Sequence, residues 1–138
     1  MPLLKDNKKY CFVMDMEVRD YELDGEKIVN NANYLHYMEH TRHKFCAHAG
    51  VSFIELQKQG IMAVVRKIEI EYMESLRSGE TFISALWLER KGPRFIFHQD
   101  ILKADGSLVT TAVVTCVMLR DGRLSRGDEV AELFKKWL

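Results

Sequence analysis

The amino-acid sequence predicts an α+β fold in which an antiparallel sheet of about five strands curls around one long helix. Apolar residues alternate with a period of two in several segments and follow a helical period in one long segment. The strand-like segments are joined by short turn sequences, which favour antiparallel neighbours. A sheet and a helix that each have one apolar face can bury both faces by curling the sheet around the helix.

The first strand is predicted at residues 12–19, FVMDMEVR, where apolar and charged residues alternate. A polar loop follows, and either Asn30 or Asn31 can cap the next helix through its side-chain oxygen. That helix is predicted to end near Gly50, because glycine suits the C-terminal stop of a helix.

One face of this helix is predicted to be core and the other solvent. The apolar stripe consists of Tyr34, Tyr37, Met38, Thr41, Phe45 and Ala49. The opposite stripe consists of His36, His40, His43 and Ala47.

A four-stranded meander is predicted to follow a short helical turn around residues 52–60. Its strands are expected at residues 61–73, 81–90, 94–103 and 108–119, separated by turn sequences such as KGP and ADGS. A C-terminal helix is predicted at about 128–137. Residues 1–138 are therefore expected to form a single domain.

The composition excludes several classes of protein. The chain has 138 residues, with 20 Lys and Arg balancing 20 Asp and Glu, so no net field attracts nucleic acid or an anionic membrane. No apolar run is long enough to span a bilayer, and the opening MPLLKDNKKY lacks the apolar segment of a signal peptide. Cys11, Cys46 and Cys116 form no CxxC pair and are expected to be free thiols. We therefore expect a soluble cytoplasmic protein.

Common catalytic and nucleotide-binding motifs are missing, since the chain has no GxSxG elbow, P-loop or GxGxxG. The sequence HYMEH at residues 36–40 does match the HxxEH pattern of inverted zinc peptidases. However, its histidines lie on the face opposite the apolar stripe, away from any predicted cleft. We interpret the motif as a surface or oligomer-facing cluster, with a metal site as the alternative, and we predict no metal and no cofactor. His98 is likewise expected at a surface or interface.

Three acids, Asp20, Glu22 and Asp24, lie between the first strand and the helix. They are either solvated loop acids, with Asp24 and Gly25 forming a turn, or they include a catalyst. Asp24 is best placed for catalysis, because the helix N-terminus presents backbone N–H groups that can hold a developing oxyanion.

The stretch DYELDGEKIVNNANYLHYMEHTRHKF resembles the signature of the 4-hydroxybenzoyl-CoA thioesterase-like branch of the hotdog-fold acyl thioesterases. It is also similar to acyl-acyl carrier protein and acyl-lipid thioesterases, which share DYELD and VNNA. The likeness continues through IEIEYMESLRSGE and covers most of the chain.

This resemblance implies a hotdog fold, active sites at a protomer interface, and a homodimer or homotetramer. It places the catalytic acid on Asp24 and a backbone oxyanion donor near Asn31, and it makes Tyr34 of the motif a substrate-binding candidate. The family's usual loop glycine is replaced, and Lys27 stands near that place. Lys27 either contacts substrate or points to water.

A coenzyme A or carrier-protein phosphopantetheine carries phosphate, which needs basic groups near the cleft. The ERKGPRF hairpin groups Arg90, Lys91 and Arg94, which are substrate-binding candidates or ordinary surface charges. Arg66 and Arg77 are weaker candidates.

The resemblance implies an acyl-CoA thioesterase that hydrolyses an acyl or aromatic acyl thioester to free acid and CoA, with Asp24 as nucleophile or general base. The alternatives are an acyl-acyl carrier protein thioesterase, a noncatalytic acyl-CoA-binding hotdog protein, and a metalloenzyme that uses the HYMEH helix. Neither nucleic acid nor a membrane is an expected partner.

Overall fold

The computed structural model describes residues 10–138. The elements in chain order are β1 (Phe12–Glu17), α1 (Asn31–His48), α2 (Phe53–Lys58), β2 (Ile61–Tyr72), β3 (Thr81–Lys91), β4 (Arg94–Lys103), β5 (Leu108–Arg120), β6 (Arg123–Ser125) and α3 (Asp128–Phe134). Single 3₁₀ turns lie at Asp20–Glu22 and Lys135–Trp137. The predicted α+β class and the five predicted strands are confirmed. The short β6 and the turn at Asp20–Glu22 were not predicted, because three residues are too few to show a period.

The sheet is antiparallel, with the order β1-β3-β4-β5-β2, and β6 pairs with the end of β5. The predicted meander is wrong in one respect, since β2 pairs with β5 and not with β3. Strand β1 instead lies beside β3. The segment between β2 and β3 crosses from the β2 edge of the sheet to β3, which lies next to the other edge strand. Leu76 anchors this segment because its side chain is fully buried.

Helix α1 lies in the concave face of the sheet. Its buried residues are Tyr34, Tyr37, Met38, Thr41, Phe45 and Cys46. The Tyr37 ring packs 4.8 Å from that of Phe82 on β3, and the Phe45 ring stacks 5.7 Å from that of Phe134 on α3. This apolar stripe confirms the predicted core face, with Cys46 in the core and Ala49 at its margin. Among residues 10–138, no helix has both the length and the apolar character needed to cross a membrane.

The two edge strands of the sheet differ in length, and the longer one exposes apolar side chains. The edge strand β2 has twelve residues, whereas β1 at the other edge has six. Along β2, Met62, Val65 and Ile68 are 50%, 46% and 39% exposed. A long edge strand with exposed apolar side chains presents unpaired N–H and C=O groups together with an apolar surface. Strand β2 is therefore suited to pairing with another chain.

Candidate active site

A tight hairpin turn presents Asp24 at the end of the loop that precedes α1. The Asp24 N–H donates to the Ile28 carbonyl at 2.9 Å, and the Lys27 N–H donates to the Asp24 carbonyl at 3.0 Å. Lys27 has a φ of 62°, in the left-handed region that favours glycine. The turn therefore closes with lysine at a position that favours glycine. The steric strain of this backbone conformation lies at Lys27.

Asp24 and Asn31 line one cavity of about 210 Å³ at the N-terminal end of α1. The other lining residues are Ile28, Val29, Tyr34, Tyr72, Glu74 and Ser75. The acid and the helix terminus that the sequence singled out therefore share one concave site. Three of the predicted site residues, Asp24, Asn31 and Tyr34, come together there.

The polar groups of Asp24 and Asn31 are only partly used within the chain. Asp24 is half-buried, and its Oδ1 accepts a hydrogen bond from the Glu26 N–H at 2.8 Å. Its Oδ2 accepts none from residues 10–138. The Asn31 N–H belongs to the first turn of α1 and likewise has no acceptor in that part of the chain. Two residues that line this cavity thus each keep one polar group without a partner in residues 10–138, a carboxylate oxygen on Asp24 and a backbone donor on Asn31.

The two asparagines of the motif have separate roles. Asn30 caps α1, because its Oδ1 accepts a hydrogen bond from the Ala32 N–H at 2.9 Å. The Asn31 carbonyl accepts a hydrogen bond from the Tyr72 hydroxyl at 3.2 Å, which joins the end of β2 to the start of the helix. The cap is one of the two alternatives that the sequence left open.

Glu22 was treated with the other loop acids as either a solvated residue or a catalyst, and the solvated reading is wrong for it. Its side chain is buried, and its Oε1 accepts hydrogen bonds from the Tyr37 hydroxyl and from the Arg19 N–H, both at 2.8 Å. The Glu22 carbonyl accepts from the Asn30 N–H at 3.0 Å and from Asn33 Nδ2 at 2.8 Å. Burial, and then the neighbouring Glu22 carboxylate, raise the pKa of Tyr37. Glu22 therefore ties the loop to α1, and no local pattern distinguishes it from a surface acid.

Tyr34 lines the cavity with a hydroxyl that already has a partner. The Leu76 N–H donates to the Tyr34 hydroxyl at 3.1 Å, and burial raises the pKa of this tyrosine. Its ring packs 5.6 Å from the Tyr72 ring. Tyr34 therefore forms a wall of the cavity and fixes the segment between β2 and β3.

The basic hairpin between β3 and β4 lies away from this cavity. Arg90 donates to the Arg126 carbonyl at 2.7 Å, to the Gly92 carbonyl at 2.9 Å, and to Asp128 at the start of α3. Its guanidinium thus fastens the hairpin to the C-terminal helix.

Lys91 and Arg94 are exposed at the same hairpin, and Lys91 pairs with Glu89 at 3.3 Å. Strand β3 begins beside the Asp24 loop and ends at this hairpin, a span of about 33 Å at about 3.3 Å per residue. None of the three basic residues lines the cavity of Asp24 in the same protomer. Arg66 lies exposed at a bulge of β2, and Arg77 pairs its backbone with Ile28 beside the loop.

The HYMEH histidines, His36 and His40, are exposed on the outer face of α1, as predicted. Within residues 10–138, no three His, Cys, Asp or Glu side chains are grouped to hold a metal ion. His98 is half-buried on the outer face of the sheet, where its ring stacks 3.9 Å from that of Trp87.

The family model described as the thioesterase-like superfamily matches residues 18–138. The chain belongs to this superfamily. Its sheet wrapped around a helix is the hotdog fold of the family.

Individual relatives support the same assignment. Acyl-acyl carrier protein thioesterase ATL2 of Arabidopsis thaliana is 36% identical over 106 residues, which cover 70% of this chain and 56% of that protein. The chain thus spans about half the length of this plant relative. The putative acyl-CoA thioesterase YneP of Bacillus subtilis is 36% identical over 95 residues, 68% of this chain and 69% of that protein. The crystal structure of YbaW, a probable thioesterase from Escherichia coli, superposes with a TM-score of 0.81 at 25% identity, over 91% of this chain and 97% of that one.

Proposed function

We propose that this protein is an acyl-CoA thioesterase that hydrolyses an acyl thioester to a free acid and CoA, with Asp24 as the nucleophile or general base. The observation that carries the proposal is the shared cavity of Asp24 and the first turn of α1. Membership of the thioesterase-like superfamily and the names of the relatives support the same reaction class.

In the proposed reaction, the thioester carbonyl lies between the Asp24 carboxylate and the Asn31 N–H. The N–H and the positive end of the α1 dipole stabilise the charge that develops on the carbonyl oxygen. Asp24 either accepts a proton from an attacking water or attacks the carbonyl carbon itself to form a mixed anhydride that water then hydrolyses. The C–S bond breaks in either case, and the thiolate leaves and takes up a proton. Neither route uses a metal or an organic cofactor.

The working unit of the proposal is a dimer joined through β2. Pairing β2 with its own copy would cover the exposed Met62, Val65 and Ile68 and satisfy the open edge. Antiparallel pairing places the start of one β2 against the end of the other. The end of β2 carries Tyr72 beside the Asp24 cavity, so the partner would complete that cavity.

The same pairing gives the basic hairpin a place in catalysis. The hairpin lies at the end of the sheet where β2 starts, since Arg94 pairs with Val117 and Ile61 pairs with Arg120 on the same strand, β5. In the dimer this end adjoins the partner's Asp24 cavity. We assign phosphate binding for the partner's substrate to Lys91 and Arg94, with Arg90 holding the hairpin in position.

The main alternative substrate is an acyl-acyl carrier protein, which the name of the Arabidopsis relative favours. Turnover of matched CoA and carrier-protein thioesters with the same acyl group separates the two. We expect a higher kcat/KM on the CoA thioester. A clear preference for the carrier protein would replace the CoA assignment and leave the hydrolytic proposal intact.

The decisive experiment is Asp24→Asn assayed on a panel of acyl-CoA thioesters. We expect kcat to fall by about 10²-fold or more, a typical contribution of a positioned acid–base group, with an unchanged circular dichroism spectrum. Glu26→Gln is the matched control, because it neutralises an exposed acid two residues away and should leave kcat within about twofold. Equal activity of the wild type and Asp24→Asn would reject the proposal. Binding of acyl-CoA without turnover by the wild type would support the noncatalytic alternative.

A further inference from the structure

The last residue of β2, Tyr72, lies beside the first turn of α1. Its hydroxyl donates to the Asn31 carbonyl at 3.2 Å, and Tyr72 lines the same cavity as Asp24 and Asn31. The proposed reaction uses Asn31 only through its N–H. The bond from Tyr72 to the Asn31 carbonyl therefore has no role in that reaction so far, although it holds the residue that carries the oxyanion donor.

The backbone of Tyr72 is fixed by its neighbour in the sheet. Tyr72 pairs with Thr110 of β5. Directly after it, the Met73 N–H and the Glu74 N–H both donate to the Val109 carbonyl, at 2.8 Å and 3.2 Å. The end of β2 is thus attached to β5 on both sides of the Tyr72 carbonyl.

The ring of Tyr72 rests against a buried neighbour. Its centroid lies 5.6 Å from that of Tyr34, with the two rings inclined at 62°. Tyr34 is only 3% exposed, and its hydroxyl accepts a hydrogen bond from the Leu76 N–H at 3.1 Å. A rigid aromatic side chain packed in this way presents its hydroxyl at a defined position. The Tyr72 hydroxyl therefore reaches Asn31 from a support that belongs to the sheet.

The backbone on either side of Asn31 is held by hydrogen bonds. The peptide unit between Asn31 and Ala32 is bonded at both ends, because its carbonyl accepts from Tyr72 and its N–H donates to Asn30 Oδ1 at 2.9 Å. The preceding peptide unit has its carbonyl on Asn30, which accepts from the Asn33 N–H at 2.9 Å. The Asn31 N–H belongs to this preceding unit. Its direction is thus set by bonds on both sides, and Tyr72 supplies the one that comes from the sheet.

The direction of the Asn31 N–H matters for the proposed chemistry. An oxyanion donor is most effective when it is oriented before charge develops, because no reorganisation is then needed during the reaction. Displacement of a reacting group by about 1 Å can lower a rate by about 10²-fold. Asn31 is the first residue of α1, and the ends of helices fray. A bond from the sheet to this residue opposes such fraying.

We propose that Tyr72 is a positioning residue for the oxyanion donor. Its hydroxyl fixes the Asn31 backbone, so that the N–H stays directed at the thioester oxygen on which charge develops. This inference rests on the proposed function, because that function gives the Asn31 N–H its role. Loss of the hydroxyl should weaken stabilisation of the transition state more than it weakens binding of the substrate.

The first test is Tyr72→Phe, which removes the hydroxyl and keeps the ring that packs on Tyr34. We expect kcat on hexanoyl-CoA to fall about fivefold, the scale of one neutral hydrogen bond, with KM and the circular dichroism spectrum unchanged. Tyr21→Phe is the matched control, because Tyr21 is 80% exposed and does not line the cavity, and it should keep the wild-type kcat. A wild-type kcat in Tyr72→Phe, or a raised KM with unchanged kcat, would overturn the proposal.

A binding measurement separates positioning from a purely structural role. S-hexyl-CoA lacks the carbonyl oxygen of the substrate. The ketone analogue of hexanoyl-CoA keeps this oxygen and cannot be hydrolysed, because a methylene replaces the sulfur. Isothermal titration should show that Tyr72→Phe weakens binding of the ketone at least about threefold and leaves binding of S-hexyl-CoA unchanged. Equal effects on the two analogues would make Tyr72 only a wall of the cavity and would overturn the proposal.

Two further variants keep the possible failures apart. Tyr72→Leu removes the same hydroxyl and should show the same selective loss of ketone binding, which decides the question if Tyr72→Phe does not fold. Full turnover by Asp24→Asn would reject the proposed function. An inactive Asp24→Asn together with a fully active Tyr72→Phe would reject only the role of Tyr72.

Discussion

The loop of Asp24 and the hairpin of Arg90 lie at opposite ends of β3. Both are clusters of charged residues, and the sequence predicts a functional role for each. At the loop, Asp24 Oδ2 and the Asn31 N–H have no partner among residues 10–138, and both residues line one cavity. At the hairpin, Arg90 donates to Arg126, Gly92 and Asp128 of its own chain.

This difference shows that a charged side chain is a stronger functional candidate when some of its donors or acceptors have no hydrogen-bond partner in the folded chain. Within a single protomer, the loop retains such capacity and Arg90 does not. Lys91 and Arg94 lie between these cases, because they are exposed but far from the Asp24 cavity of their own chain. The following predictions test whether the two ends really differ and whether dimer formation joins them.

The largest expected effect comes from Ile68→Lys on the β2 edge. A lysine there would face its own copy across the proposed twofold, where like charges oppose pairing. We expect sedimentation to report a monomer and kcat/KM to fall by about 10²-fold or more, because the cavity and the hairpin would no longer meet. Val13→Lys on the other edge strand is the control and should leave both quantities unchanged. A monomeric Ile68→Lys with full turnover would show that each protomer works alone.

The next largest effect is expected for Glu22→Ala at the loop end. The Tyr37 hydroxyl and the Arg19 N–H lose their acceptor, and unsatisfied buried groups cost about 1–3 kcal/mol each. We expect urea denaturation to report a free energy of unfolding lower by about 3 kcal/mol, together with a reduced kcat because the Asp24 loop loosens. Tyr37→Phe removes one of these bonds and should cost about 1 kcal/mol. Full stability of Glu22→Ala would mean that Glu22 does not hold the loop.

Arg90→Met should have a smaller effect, mainly on stability, with a modest rise in KM because the hairpin of Lys91 and Arg94 loses an attachment. The loss of the bonds to Asp128 and to the Arg126 carbonyl should lower the midpoint of urea denaturation slightly, because Asp128 is largely exposed and its charge is screened by solvent. We expect kcat to stay within about twofold of the wild type. A large rise in KM for CoA thioesters with unchanged thermal stability would instead make Arg90 a phosphate-binding residue, as the sequence first suggested.

The smallest effect is expected for Lys27→Gly, and it is favourable. Lys27 has a φ of 62°, and glycine adopts this conformation without the steric cost of a side chain. We expect the free energy of unfolding to rise by about 0.5–1 kcal/mol, measured by urea denaturation, with kcat unchanged. A reduced kcat in this variant would indicate that the lysine side chain contacts substrate, the other alternative for Lys27. Lower stability would mean that its side chain makes a compensating contact.

Features that depend on neighbours in the chain were predictable. The capping of α1 by one of two adjacent asparagines, its buried stripe, and the bounds of β4 all follow from periods and turn residues within a few positions. The cavity that joins Asp24 to the start of α1 was also within reach, because only seven residues separate Asp24 from Asn31.

Features that depend on distant pairing were not predictable in the same way. Strand β2 shows the same alternation whether it lies beside β3 or β5, so its place in the sheet was wrong in the sequence interpretation. In the sequence Glu22 cannot be distinguished from the other loop acids. Its burial depends on the hydrogen bond from Tyr37 of α1, which forms only in the folded chain. In the sequence Arg90 cannot be distinguished from an unpaired surface cation. Its partner Asp128 is 38 residues away in the chain, at the start of the C-terminal helix.

The sequence by itself determined which residues form the helix and the strands, which helix face is apolar, and that an acid precedes the helix N-terminus. Only the tertiary structure decided that β2 is an open edge, that Glu22 is buried, and that Arg90 bonds to the start of the C-terminal helix. The physical reason is that periodicity is a property of adjacent residues. Burial and hydrogen-bond partners depend on segments that meet only after the sheet has closed around α1.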